Sequence, residues 1–413
     1  MERALRHLSE ADCQVLARLR SAGEAWIVGG WVREAVAGDR ADDLDIATSL
    51  HPAEVKELFP RSLMVGEKYG TVIVRLDEGS ASEPIWEVTT LRSEGNYGDG
   101  RRPDEVEFGN NIEDDLARRD FTINAMAIDA KGSLIDPYSG VADLQVGILR
   151  SVGDASERLG EDGLRIMRAF RFLDSESGMR QMDPGLRAAV SENSEMLDMV
   201  SRERIGAEME RILSGGSLRS ILSQMSGDGV LERVLPGIGT TTEPAFGGNC
   251  IINLALLCSA EADDGGALAE KLRASLVLAK EPLRAISFLH DRRGASLSVE
   301  IGSLRRFRAA LPETWQELFM SYSEGLGRDV GEFRGAWASL ESLKAGNSPL
   351  VDGKMLMEAT GLGPGQRMGR LKGWLHRMQV ERDLSSSDDV LSLLEELDWV
   401  DSEHEEWPAL SWP

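Results

Sequence analysis

Trp26-Ile27-Val28-Gly29-Gly30-Trp31-Val32-Arg33, followed after a helical stretch by Asp42-Asp43-Leu44-Asp45-Ile46-Ala47-Thr48, decides how the chain is read. A short apolar run ending on Gly-Gly predicts a strand that stops where backbone N–H groups can approach a phosphate. The positive end of the next helix points at the same place. Arg33 adds a charged fork for a triphosphate. The helix runs over residues 31–37 and stops at Gly38, and residues 44–48 read as a second strand. Asp43 and Asp45 are two apart on that strand, so both side chains leave one face. Carboxylates so close repel unless a cation lies between them, and hard oxygen ligands suit Mg²⁺. Read singly, Gly29-Gly30 is equally a turn, and Asp42-Asp43-x-Asp45 equally a polar loop.

Working outward, His51-Pro52 opens a helix that Pro60 ends. Residues 71–76 and 85–91 are rich in β-branched side chains and near enough for a hairpin. Glu87 is the single acidic residue of the second run. It reads either as a solvent-facing strand residue or as a third metal-facing carboxylate. Three carboxylates and two Mg²⁺ would support in-line nucleotidyl transfer, one metal lowering the pKa of a terminal hydroxyl and the other steadying pyrophosphate. Residues 93–103 form a polar, Gly-rich loop expected to be mobile. In Asp115-Leu116-Ala117-Arg118-Arg119-Asp120-Phe121-Thr122-Ile123-Asn124-Ala125, Arg119 could reach a phosphate and Asn124 a sugar or a backbone turn. A surface salt-bridge cluster fits the same residues.

From about Asp143 strand signals fade, and residues 161–172, 185–194 and 202–213 show helical periodicity. Glu161-Asp162-x-x-Arg165-x-x-Arg168-x-x-Arg171 places its charges along one ridge. Either Glu161 pairs with Arg165, or a fixed Asp and Arg face the edge of a base while the later arginines hold phosphates. Gly215-Gly216, the Gly/Thr/Pro-rich stretch 235–248 and Asn347-Ser348-Pro349 are candidate breaks. The acidic terminus 401–413 is expected to fray.

The chain has 413 residues, 42% hydrophobic and 28% charged, enough for two to four domains. No apolar run approaches a membrane span, and the N-terminus has no signal-like core. Three scattered cysteines fit a reducing cytosol rather than a disulfide framework or zinc site. The formal net charge of −24 argues against a polyanionic partner unless local basic groups oppose the global field. Arg202/Arg204/Arg211, Arg292-Arg293, Arg305-Arg306-x-Arg308 and Arg367/Arg370/Lys372 are the clusters expected to line such a face. His290-Asp291 has no partner histidine at metal-site spacing.

In order, Gly29-Gly30-x-Val32-Arg33, Asp43-x-Asp45, Glu87-Val88-Thr89-Thr90, Arg118 to Ala125, Asp136-Pro137-x-x-Gly140-x-x-Asp143-Leu144, Glu161-Asp162-x-x-Arg165 and Glu203-Arg204-Ile205 resemble the class II tRNA nucleotidyltransferase and bacterial poly(A) polymerase family. The resemblance implies an α+β protein with a nucleotidyltransferase palm head of mixed sheet and helices, then an all-helical neck, body and tail. The segments are 1–147, 148–216 with the base-recognition helix, 217–345, and 346–413 as a tRNA-binding tail. It implies Asp43, Asp45 and Glu87 as catalytic metal ligands for Mg²⁺. Gly29, Gly30, Arg33, Arg119 and Asn124 would bind nucleotide, Asp162 and Arg165 would select CTP and then ATP, and Arg168 and Arg171 would support the triphosphate. The activity implied is template-independent addition of CCA to the tRNA 3′ end, in the cytoplasm, with CTP, ATP and tRNA as partners. Addition of A alone, poly(A) synthesis, and a catalytically silent RNA-binding module are the alternatives. Tyr97-x-Asp99-Gly100-Arg101-x-Pro103 resembles the flexible loop of members that add the terminal A. Residues 65–71 stand where poly(A) polymerases carry a Gly-Arg-Arg-Phe type segment, which favours tRNA. Two positions depart from the family pattern: Glu34 stands where Asp is usual, and Gly163 where Pro often follows the Glu-Asp pair.

Overall fold

The structure, a computed structural model, describes residues 5, 8–38, 44–65, 70–76, 84–92, 108–109, 111–247 and 249–413. Asp43, the loop 93–103 and most of the segment 65–71 lie outside these residues. The chain divides into two units, Met1–Gly237 with Ala274–Val277, and Ile238–Arg273 with Leu278–Pro413. The break falls inside the Gly/Thr/Pro-rich stretch that the sequence marks.

The first unit is built on a seven-stranded sheet of order β3-β4-β5-β2-β1-β6-β7. Its strands are β1 (Ala25–Val28), β2 (Asp45–Thr48), β3 (Leu63–Met64), β4 (Thr71–Val74), β5 (Trp86–Thr90), β6 (Ala127–Ile128) and β7 (Leu134–Ile135). Only β2 and β5 run parallel; every other pairing is antiparallel. The expected hairpin is present as β4 against β5, with Thr71 opposite Thr89 and Val74 opposite Trp86.

Alternation along the strands sorts residues to two faces. Ala25, Ile27, Ile46 and Val88 pack on one side with α1 (Glu10–Arg20), α2 (Gly30–Ala37) and α3 (Pro52–Leu58). Trp26, Val28 and Ala47 face the other side, under Ile112 and Leu116 of α4 (Ile112–Ala117). Helix starts are set locally: Ser9 and Asp12 form a capping box on α1, and Pro52 opens α3 while Glu54 accepts from the His51 amide at 2.8 Å.

The Asp136-to-Leu144 motif holds backbone in place. Asp136 accepts from the amides of Gly140 and Val141 at 2.7 and 3.0 Å. Gly140 opens α5 (Gly140–Val146) where an added Cβ would lie 2.3 Å from the Thr122 carbonyl oxygen. Buried Asp143 accepts from the Thr122 hydroxyl at 2.7 Å.

Helices follow: α6 (Ala155–Glu161), α7 (Leu164–Leu173), α8 (Pro184–Glu192), α9 (Arg202–Leu213), α10 (Leu218–Gly227) and α11 (Val230–Val234). A two-residue parallel pair, β8 (Ile148–Leu149) with β9 (Gln181–Met182), lies among them. The single helix expected over 161–172 is two helices, because Asp162 is extended (φ −150°, ψ 106°) between them.

The second unit is helical, with Phe307, Phe319, Phe333 and Trp412 joined by ring contacts. A smaller core gathers Leu356, Leu371, Leu375, Val390 and Trp407. The terminus is therefore not frayed: Trp407 and Trp412 are 4% and 3% exposed, and the Trp412 carbonyl accepts from Arg292 at 3.0 Å. Among the described residues no helix is long and apolar enough to cross a membrane.

Candidate functional site

Where β1 gives way to α2, the chain turns at Gly29 with φ +73°, a conformation that glycine adopts without strain. A Cβ there would lie 2.6 Å from Asp45 Oδ2, so the missing side chain is what lets the carboxylate approach the turn. Asp45 is opposite Val28 on one side and, in the parallel pairing, opposite Glu87 on the other. Registered residues of a parallel pair share a face, so both carboxylates stand on one side of the sheet. Val88, facing the opposite way, is buried, whereas Glu87 is exposed. This donor set is hard oxygen on a rigid scaffold, and it fits a divalent cation.

Beside it lies a cleft of about 1460 Å³ within the first unit. Except for Asp43, which is not described, every residue expected at the site lines it: Gly29, Gly30, Arg33, Asp45, Glu87, Arg119, Asn124, Asp162, Arg165, Arg168 and Arg171. Among the described residues, nine arginines, eight carboxylates and no lysine line this cleft. A chain of net charge −24 thus concentrates guanidinium groups, with their planar donor forks, at one place.

One buried carboxylate organises the wall. Asp120 accepts from Arg168 Nε at 2.6 Å, from Asn124 Nδ2 at 3.1 Å and from the Phe121 amide at 2.8 Å. Burial pushes its carboxyl up, but Arg168 and these hydrogen bonds outweigh it and hold the group below the usual carboxylate range. Asn124 also accepts from Arg33 Nη1 at 2.6 Å, so its amide links Arg33 through Asp120 to Arg168. Arg119 donates to the Asn124 carbonyl at 3.2 Å, and both Arg118 and Arg119 pair with buried Asp115. Asp115 is held low in the same way, burial opposed by two arginines. Arg171 lies 3.3 Å from Glu208 Oε2, and burial with nearby Arg168 pushes it down to about 10.

At the junction between α6 and α7, Asp162 accepts from the Leu164 amide at 3.0 Å and from Arg204 Nη2 at 2.7 Å. Arg165 does not pair with Asp162. It pairs with Glu161 and donates to the carbonyls of Arg158 and Arg118 at 2.7 and 3.0 Å. Both side chains still line the cleft, each fixed by its own partners. Gly163 has a reason of its own: a Cβ would lie 2.4 Å from the Met196 carbonyl oxygen.

Sequence reasoning gave no role of their own to Asp120 and Phe172, and it grouped Arg204 with the basic clusters without linking it to Asp162. The available signals were Asp120 directly after two arginines, and Phe172 four residues after Arg168 on one helix. Several members of the expected basic clusters have partners within the protein. Arg305 and Arg306 pair with Asp383 and Glu381. Arg308 donates to the carbonyls of Leu340 and Trp337, and Arg367 to those of Trp399 and Val400. Arg293 donates to the His290 carbonyl. These groups close loops and helix ends inside the second unit. His290 is buried and its Nε2 bonds the Asp263 carbonyl at 2.9 Å.

Residues 25–150 match the family model described as Poly A polymerase head domain, and 181–240 that described as probable RNA and SrmB-binding site of polymerase A. The chain is 42% identical over 212 residues to a CCA-adding enzyme of Limosilactobacillus fermentum, covering 51% of each, so it spans about half the length of that relative. With a CCA-adding enzyme of Limosilactobacillus reuteri it is 31% identical over 391 residues, 91% of this chain and 94% of the other. The fold is similar to the crystal structure of Bacillus stearothermophilus CCA-adding enzyme in complex with CTP, with a TM-score of 0.76 and 26% identity over 94% of this chain and 96% of that one. It also matches the Thermotoga maritima CCA-adding enzyme complexed with tRNA, with a TM-score of 0.65 at 20% identity over 96% and 98%.

Proposed function

Because the chain belongs to the family of CCA-adding enzymes and related poly(A) polymerases, we propose that it adds CCA to the 3′ end of tRNA from CTP and ATP without a nucleic-acid template. The observation that carries this is the convergence of one carboxylate pair and a wall of arginines on a single cleft. The tRNA 3′-hydroxyl attacks the α-phosphorus of the bound nucleotide. The new P–O bond forms as the α–β anhydride breaks, and pyrophosphate leaves in line. Asp45 and Glu87, with Asp43 as third ligand, would hold Mg²⁺. Bound there, the cation lowers the pKa of the hydroxyl and neutralises charge on the leaving group.

The chain's own residues do the rest. The Gly29-Gly30 turn brings backbone close to the phosphates, and Arg33, Arg119, Arg168 and Arg171 balance their charge. Asn124, committed to Arg33 and Asp120, keeps that wall in register. Asp162 accepts from the exocyclic amine of cytosine or adenine, and Arg165 donates to the adjoining ring nitrogen or carbonyl. Segments 1–147, 148–216, 217–345 and 346–413 serve as head, neck, body and tRNA-binding tail, and the protein works in the cytoplasm.

Purified protein with Mg²⁺ and tRNA transcripts ending before CCA, after the first C and after CC, offered CTP and ATP, tests this. Two C additions followed by one A are expected. Addition of A to the CC-ended transcript alone, or long A tails on any RNA, would replace the reading with one of the narrower activities. No incorporation with RNA binding retained would replace it with a silent module.

A further inference from the structure

Three arginines that line the cleft meet at one aromatic ring. The guanidinium carbons of Arg33, Arg168 and Arg171 lie 5.0, 5.1 and 4.3 Å from the ring centroid of Phe172. Arg168 and Arg171 share α7 with the ring, whereas Arg33 comes from α2. Phe172 lines the cleft, and the buried ring of Phe121 meets it edge-on at 5.8 Å and 73°. Phe121 in turn donates its amide to Asp120, the carboxylate that binds Arg168.

Three cations this close repel one another. Each has a carboxylate partner, Arg33 with Glu34 at 3.0 Å, Arg168 with Asp120 and Arg171 with Glu208 at 3.3 Å, and each such pairing occupies N–H groups that a phosphate could use. A phenyl ring attracts a cation through its π face and takes no N–H donor. Arg171 lies nearest the ring, while its Nε stands 3.3 Å from Glu208 Oε2.

We propose that Phe172 is a positioning residue for triphosphate binding, an apolar anchor that gathers Arg33, Arg168 and Arg171 from two helices without occupying any of their N–H donors. The inference rests on the reading of these arginines as phosphate ligands. Since a triphosphate is common to CTP and ATP, the anchor serves both and takes no part in choosing between them.

Phe172→Leu and Phe172→Met keep an apolar side chain and remove the ring; Phe172→Tyr keeps it. Affinity for inorganic tripolyphosphate, which has the charge of the nucleotide and no base, is read by calorimetry. The KM values for CTP and ATP are read in the tRNA assay, and each variant's melting curve shows that it is folded. Expected are about tenfold losses of tripolyphosphate affinity in the Leu and Met variants, matched by equal rises in both KM values with kcat little changed, and Tyr within about twofold of wild type. Unchanged affinity in a folded Leu or Met variant overturns the proposal. So does equal loss in the Tyr variant, and so does a wild-type protein that binds no tripolyphosphate. If the wild-type protein binds tripolyphosphate but adds no nucleotide, the functional reading fails while the binding series still decides the role of Phe172.

Discussion

Asp120 concentrates the consequences of a single side chain. It joins Arg168 to Asn124 and so to Arg33, and its carboxyl stays ionised only because Arg168 and two N–H donors outweigh its burial. A carboxyl with a lowered folded-state pKa stabilises the protein above its unfolded value, about 3.9, and loses that contribution as pH falls through the folded value. Asp120→Asn leaves Arg168 partly buried without its partner and is expected to cost about 3 kcal/mol at neutral pH. The gap between variant and wild type should close below about pH 4, as seen in urea melts repeated at several pH values. A gap that stayed constant into acid would mean that the carboxylate charge is not what matters. Sequence pattern showed this residue only as a member of a charge cluster. Its role depends on Arg168, 48 positions away, which no local spacing reveals.

At the scale of elements, the break between α6 and α7 sets the positions of Asp162 and Arg165, the pair proposed to read the base. The sequence from Glu161 to Phe172 is continuous in helical period, so periodicity joined what the structure separates. The cause is tertiary: the Met196 carbonyl packs against Gly163, where any Cβ would be 2.4 Å away. Gly163→Ala must push the Ser194–Met199 turn or the start of α7 aside. Expected are a lower melting temperature and a loss of discrimination between CTP and ATP that exceeds the loss of total nucleotide affinity, measured by misincorporation on CC-ended tRNA. Equal loss of both would place the effect in general destabilisation. Longer elements with plain signals were legible: α9 spans the 202–213 window of the periodicity, and β4 and β5 pair as the β-branched runs suggested. Strands of two residues, such as β8 and β9, carry too few side chains to show a period.

Over the whole chain, the net charge of −24 contrasts with a cleft where, among the described residues, nine arginines balance eight carboxylates, so the site escapes the global acidity that composition raised as a difficulty. Clusters counted in sequence cannot tell a free guanidinium from one closing a helix end. Arg308 shows the difference, donating to Leu340 and Trp337 carbonyls at 2.6 and 2.7 Å. Arg308→Glu should therefore lower the melting temperature by several degrees, on the order of 2–4 kcal/mol. The salt dependence of tRNA affinity should stay as it is in wild type. A shallower salt slope in a fully stable variant would return Arg308 to the RNA-facing set.

Residues 274–277 belong with the first unit although the chain on either side of them belongs with the second. Their Leu276 carbonyl oxygen fills the space over Gly206, where a Cβ would be 2.1 Å away. A chimaera that grafts the first 237 residues onto the remainder of a relative would leave this notch facing a foreign backbone. A cut made where the primary structure looks most divisible is thus not a clean one. Four residues from downstream must travel with the first unit, and the gene for either half, moved alone, carries an incomplete surface.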